Sequence, residues 1–183
     1  MRLLFVIAVS ITSSVFAQSH IDFVSSNIDT AVAKAKELGK PIYIDCQTSW
    51  CAPCRKMEKE VFTDEAVAKF YNENFVCISL DMEKEGIKLV EKFKVNSYPS
   101  HVYVDAELNL LHKEIGYRGA SGFINFGKAA LNPDRQNGRF EKEFKEGNRD
   151  SDFLLKYTEY LYRNRLSKAI VYDAYLRSLP KDS

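Results

Sequence analysis

The chain has 183 residues, enough for one ordinary domain and a short additional segment. With 45% hydrophobic and 13% aromatic residues it can bury a packed core, which excludes wholesale disorder. Its 26 Lys and Arg are interspersed among 25 Asp and Glu with no basic stripe, which argues against nucleic acid or an anionic membrane as a partner.

The first residues read as a secretory signal spanning residues 1–17. Arg2 is a minimal positive region, and Leu3 to Ile11 is an apolar run too short to cross a bilayer. The small residues of Thr12 to Ala17 follow, with Val15 and Ala17 at the positions a signal peptidase reads and Gln18 as the new N-terminus. No Cys follows the cut, so no lipid anchor is expected, and loss of Arg2 brings the formal charge to zero. The expected location is exported, periplasmic or otherwise extracytoplasmic, without stable membrane insertion after cleavage. An uncleaved anchor helix is the competing reading.

His20 to Val24 reads as a short first strand. Ile28 to Leu38 follows as a helix with Ala31, Val32, Ala35 and Leu38 on one face, ended by Gly39. Pro41 to Cys46 is short, apolar and β-branched, the pattern of a buried strand. Beyond Cys54, Met57, Val61 and Phe62 recur at helical spacing, which predicts a helix to about Phe62. Thr63-Asp64-Glu65 is a fresh N-cap signature for a helix through Val67, Phe70 and Tyr71. Phe75 to Leu80 predicts a strand, Glu85 to Phe93 a helix, and Val102 to Val104 and Leu110 to Ile115 a hairpin about the turn Asp105 to Asn109. A loop from Gly116 to Gly122 precedes a closing helix, Phe123 to Leu131. This β-α-β-α-β-α-β-β-α order predicts an α/β fold, a mixed central sheet flanked by helices, over residues 18–132. Asn132-Pro133-Asp134 breaks the pattern. Aromatic and leucine positions from Phe140 to Leu176 then predict two or three short helices, a C-terminal helical extension over residues 133–183. No glycine-rich linker precedes it, so it is expected to dock on the first domain.

Chemistry concentrates in Trp50-Cys51-Ala52-Pro53-Cys54, where a strand hands over to a helix. Two thiols three positions apart close a small reversible disulfide. A helix N-terminus favours an anion there and lowers the pKa of Cys51, and the thiolate is the attacking species. Cys51, expected to be the more exposed of the two, is the candidate nucleophile, and Cys54 one turn on is the resolving thiol. Trp50 is a flat contact surface beside Cys51 or a packing residue. Arg55 and Lys56 add positive charge or simply form a solvated first turn. Ala52 and Pro53 give the thiolate no extra side-chain donor, which favours a reducing couple nearer about −270 mV than about −120 mV. A zinc site would need four ligands, and no second Cys-x-x-Cys or His pair accompanies the first.

Trp-Cys-Ala-Pro-Cys between a strand and a helix, with Tyr98-Pro99 ahead of a later strand, resembles the thioredoxin superfamily over roughly His20 to Leu131. Glu58-Lys59-Glu60-Val61-Phe62-Thr63-Asp64 is similar to its exported branch, which includes the periplasmic C-terminal domain of the transmembrane disulfide-interchange reductase. The resemblance implies that Asp45 is a buried acid behind Cys54, its pKa raised by desolvation, taking the Cys54 proton through a water. It also implies a cis Tyr98-Pro99 bond that turns the Tyr98 backbone toward the thiols, where an extended substrate pairs with it. Gly116 matches a glycine after the hairpin. Two departures stand out: Lys59 replaces a mid-helix proline, and Cys77 occupies the place of a lysine near the buried acid, which would raise the Asp45 pKa further. By alternation Cys46 lies on the opposite face from Asp45, and the resemblance puts Cys77, in the lysine's place, on the same face, so Cys46 and Cys77 are expected to be buried, unbridged thiols.

These readings point to an exported thiol:disulfide oxidoreductase, without a cofactor, acting on disulfide-containing proteins and recharged by an upstream dithiol donor, membrane-bound or free. Two other classes stay open at this stage. One is a partner-binding module with a structural disulfide; the other is a metal carrier using Cys51, Cys54 and His101.

Overall fold

The computed structural model describes residues 20–179; the expected signal segment lies outside the described residues. The sheet has four strands, β1 (Ile42–Gln47), β2 (Val76–Asp81), β3 (Ser100–Val104) and β4 (Leu110–Ile115), in the order β2-β1-β3-β4. β1 pairs parallel with β2 and antiparallel with β3, and β3 pairs antiparallel with β4. β1 is the central strand, buried on both faces, and its sequence is correspondingly apolar on both.

Alternation along β1 sorts the core into two layers. Ile42, Ile44 and Cys46 point toward α1 (Ile28–Leu38) and α4 (Ile87–Lys92), packing on Ala31, Ala35, Leu80 and Leu89. Tyr43 points the other way, toward α2 (Ala52–Glu60), α3 (Glu65–Asn74) and α5 (Ala120–Leu131), among Met57, Phe62, Tyr71 and Phe123. Cys46 and Cys77 fall in opposite layers as unbridged buried thiols, as alternation requires. Helix starts follow local chemistry: Asn27 caps α1 by accepting from Asp29 N, and Asp64 caps α3 by accepting from Val67 N. Gly39 ends α1 at φ 63°, a left-handed position where glycine carries no steric penalty.

Several boundaries differ from expectation. The segment expected as a first strand makes a single bridge, Phe23 to Cys77, because the Ile21 N–H is taken by the Phe62 carbonyl at the end of α2. α2 stops at Glu60, where the Val61 and Phe62 amides both turn back onto the Met57 carbonyl. α5 begins at Ala120, so part of the expected loop is already helix.

Beyond a 3-10 turn at Pro133–Arg135 come α6 (Phe140–Lys145), α7 (Ser151–Arg163) and α8 (Ala169–Ser178). They bury their own cluster of Phe140, Phe153, Leu154, Tyr157, Tyr160, Leu161 and Val171. Asn137 ties them to the sheet. Its Oδ1 accepts from Lys113 N at 2.8 Å and its Nδ2 donates to Lys113 O at 2.9 Å, a side chain standing in for a neighbouring strand on β4. Gly138 N donates to Leu111 O, and a Cβ at Gly138 would collide with the Leu110 carbonyl. The Lys113 side chain leaves the opposite face of β4, and its buried ammonium donates to the Phe93 and Lys94 carbonyls that end α4. Among the described residues no helix is long and apolar enough to cross a membrane.

Candidate active site

β1 delivers Asp45 and then runs through Thr48, Ser49 and Trp50 into Cys51, the N-cap of α2. Cys51 has extended backbone, its N–H donates to Thr48 O, and its Sγ accepts from Cys54 N at 3.1 Å. Pro53 lies in the first turn, where a missing N–H breaks no helical bond. Cys51 and Cys54 form a disulfide with Sγ atoms 2.03 Å apart. The expectation that Cys51 is the more exposed is corrected: the two are 2% and 3% exposed, because the cap turns Cys51 Sγ inward over the first turn. The asymmetry between them is one of position. Cys51 Sγ sits among the free N–H groups at the start of α2, and Cys54 lies a turn inside.

Asp45 is buried one strand position beyond Ile44, on the Tyr43 face. Burial pushes its pKa up to about 7, a hydrogen bond from Ser79 opposes the rise, and the charge of Glu58 on α2 adds to it. Ser79 Oγ donates to Asp45 Oδ2 at 2.9 Å, and Oδ1 is buried without a protein partner. The residue opposite Asp45 on β2 is therefore Ser79, and Cys77 stands opposite Tyr43, two positions away. Cys77 lies on Asp45's side of the sheet, as expected, but two positions along from it. No cation replaces the expected lysine, since the antiparallel neighbour of Asp45 is His101.

His101 is fully committed. Nδ1 lies 3.0 Å from Tyr43 Oη and Nε2 lies 3.2 Å from Gly116 O. The carbonyl can only accept, so Nε2 carries the proton and Tyr43 donates to Nδ1. Burial lowers the His101 pKa to about 4, keeping the ring neutral. Gly116 N in turn donates to Pro99 O at 2.8 Å. A chain of hydrogen bonds thus runs from Tyr43 through His101 and Gly116 to the cis Tyr98-Pro99 bond. Recruiting His101 to a metal beside the cysteines would break this chain, and no cluster of three or more metal-ligating side chains occurs among the described residues.

Trp50 is 62% exposed beside Cys51, so it presents a surface; it does not fill the core. Its ring meets Tyr98 edge-on at 5.7 Å between centroids. Its Nε1 donates to both carboxylate oxygens of Glu83, at 3.1 and 3.0 Å. Glu83 and Ser79 escape a reading of the sequence, because only the β1–β2 register and the loop after β2 bring them to the site. Arg55 donates to Ser49 O, and Lys56 lies over the Tyr117 ring, so both cations belong to the flank of α2.

A thioredoxin-like family model matches residues 22–106. A candidate disulphide-isomerase from Bacteroides thetaiotaomicron superposes with a TM-score of 0.56 at 32% identity, covering 63% of this chain and 97% of that one. The thiol:disulfide interchange protein DsbD of Ralstonia nicotianae is 28% identical over 110 residues, 58% of this chain but 18% of its own length. A thioredoxin H-type of Oryza sativa subsp. indica is 37% identical over 76 residues, 42% of this chain and 58% of its own length. The chain thus spans less than two thirds of these two curated relatives. With Cys51 and Cys54 at a helix N-terminus, a cis Tyr98-Pro99 bond and this mixed sheet, the chain belongs to the thioredoxin-like family.

Proposed function

We propose that the protein is an exported thiol:disulfide oxidoreductase that reduces disulfides in protein substrates. The observation that carries this reading is the Cys51–Cys54 disulfide on the N-terminus of α2, above a buried Asp45 titrating near neutrality. In the reduced protein the Cys51 thiolate attacks a substrate disulfide. An S–S bond forms to Cys51 as the substrate S–S bond breaks and one substrate thiolate leaves. Asp45, ionised for part of the time at neutral pH, takes the Cys54 proton through a water. Cys54 then attacks Cys51 Sγ, the mixed disulfide breaks, and the second substrate thiolate departs. Two electrons pass to the substrate, and an upstream dithiol donor restores the Cys51–Cys54 pair.

Trp50, Tyr98 and Pro99 form the substrate-facing surface in this reading, with the Tyr98 backbone pairing to an extended segment. The catalytic unit is residues 18–132, and residues 133–183 are an appended helical unit. Export rests on the signal-like sequence of residues 1–17. The interchange activity in the name of the DsbD relative supports the same chemistry.

The deciding experiment equilibrates the full chain against glutathione and dithiothreitol buffers and measures the Cys51–Cys54 potential. A value near or below about −250 mV supports a reductant, whereas one above about −180 mV identifies an oxidase or isomerase. Cys51→Ser must also abolish turnover of a disulfide substrate. Full turnover in that variant would assign the disulfide a structural part only.

A further inference from the structure

A second site lies away from the cysteines, where the helical extension meets the sheet. A cleft of about 490 Å³ opens between β4, α5 and α7. Its floor is made by His112 and Glu114, two positions apart on β4 and so on one face of the strand. Their side chains are 5% and 9% exposed. His112 Nε2 lies 3.4 Å from Glu114 Oε1, and neither ring nitrogen of His112, both buried, makes a hydrogen bond to the protein. Buried ring nitrogens are normally satisfied, because a polar group taken from water without a partner is costly. What the floor lacks is a compact donor. An ammonium, with three N–H bonds and a positive charge, meets the acceptors of both side chains at once.

The rim has the opposite need. Lys156, Glu159 and Arg163 recur at helical spacing on the face of α7 that lines the cleft, and Arg135 comes from the turn after α5. Among the described residues Arg135, Lys156 and Arg163 have no ion pair, whereas Arg139 is held by Glu143. Glu159 and Asp134 stand among these cations, so the rim is not a field of one sign that would select a polyanion. Phe126 and Phe140 supply apolar wall. Acceptors at the floor, free cations at the rim and apolar sides between them describe a ligand with charge of both signs.

We infer that this cleft binds a small zwitterion, an amino acid or short peptide, with its ammonium on Glu114 and His112 and its carboxylate toward Arg135, Lys156 and Arg163. The site is independent of the Cys51–Cys54 chemistry. It would make the helical extension a ligand-bearing part of the molecule and not merely a brace for the sheet.

The test titrates the full-length chain with the dipeptide Gly-Leu, following the His112 ring resonances by NMR and the heat of binding by calorimetry. N-acetyl-Gly-Leu removes the ammonium and Gly-Leu-amide removes the carboxylate. The expected result is saturable one-to-one binding of Gly-Leu that shifts His112, at least tenfold weaker for each blocked probe. Glu114→Gln and Arg163→Ala should each weaken Gly-Leu binding while leaving disulfide turnover unchanged. Arg163 is exposed, so its variant keeps the test open if Glu114→Gln does not fold. Absence of any His112 shift, equal binding of blocked and free dipeptides, or a response to Zn²⁺ alone would each overturn the assignment.

Discussion

Ser79 faces Asp45 across the parallel β1–β2 pair and donates its hydroxyl proton to Asp45 Oδ2 at 2.9 Å. It is the one side-chain hydrogen bond that favours the ionised acid, against burial and the charge of Glu58. A bond of this kind contributes about 1 kcal/mol, or roughly one pKa unit. Ser79→Ala should therefore raise the Asp45 pKa above about 7, read from the carboxyl ¹³C resonance across a pH titration. An unchanged midpoint would mean that burial alone sets it.

Asp45 also makes stability depend on pH. Its folded pKa of about 7 lies above the ordinary 3.8, so between these values the folded chain holds a proton that the unfolded chain releases. Stability from this group falls as pH rises and is lowest above pH 7. His101, held at about 4 from 6.5, works in reverse: the unfolded chain gains a proton that the folded chain refuses, so its contribution rises from pH 4 to 6.5. The two slopes oppose each other over that window. In Asp45→Asn only the rise remains. The stability advantage of Asp45→Asn over the native chain should thus grow by up to about 4 kcal/mol between pH 4 and pH 8. Guanidinium unfolding of the oxidised protein at both pH values measures it, and a constant difference would contradict the burial argument.

Glu83 fixes Trp50, the only tryptophan in the chain, against Tyr98. Glu83→Ala frees an exposed indole to change rotamer, so Trp50 emission should shift to longer wavelength and broaden. If the ring forms part of the substrate surface, KM for a protein disulfide should rise a few-fold with kcat nearly unchanged, since binding is lost and no reacting group is touched. Equal losses in both parameters with unaltered emission would argue for a different part for Glu83.

Asn137 and Gly138 hold the extension on β4. Asn137→Ala removes two hydrogen bonds from the buried Lys113 backbone and should cost about 2–3 kcal/mol. Gly138→Ala, forced against the Leu110 carbonyl, should cost about 1–3 kcal/mol. Amide hydrogen exchange should speed up at Lys113 and in α7 before it does in β1. Uniform acceleration through the sheet would show that the extension and sheet unfold as one unit.

Local chemistry made most of this fold legible from sequence. Gly39 ends α1, Asp64 opens α3, and the β-branched run into Cys46 marks the central strand, because caps, turns and strand burial act over a few residues. The cysteines and Pro99 were legible as a motif. What escaped depends on register and on distant segments. Nothing local distinguishes Cys77 from Ser79 as the neighbour of Asp45, because both alternate onto the same face and only the β1–β2 pairing chooses between them. His101 was readable as a metal ligand until Tyr43 and Gly116 were found on its two nitrogens. The expected first strand shrank to the bridge at Phe23 because Ile21 found its acceptor in Phe62, just past α2 and 41 positions along the chain.

The clasp of Asn137 and Gly138 on β4 has a counterpart at the far margin, where Phe23 bridges to Cys77 and the Val24 amide donates to the Cys77 carbonyl. Each margin of the sheet thus carries one of the chain's own segments over part of its length. At those points an extended segment finds the strand backbone already taken, which shortens the edge on which a further strand could lie. In the reading proposed above, that narrows the backbone offered to an extended client toward the loop at Tyr98.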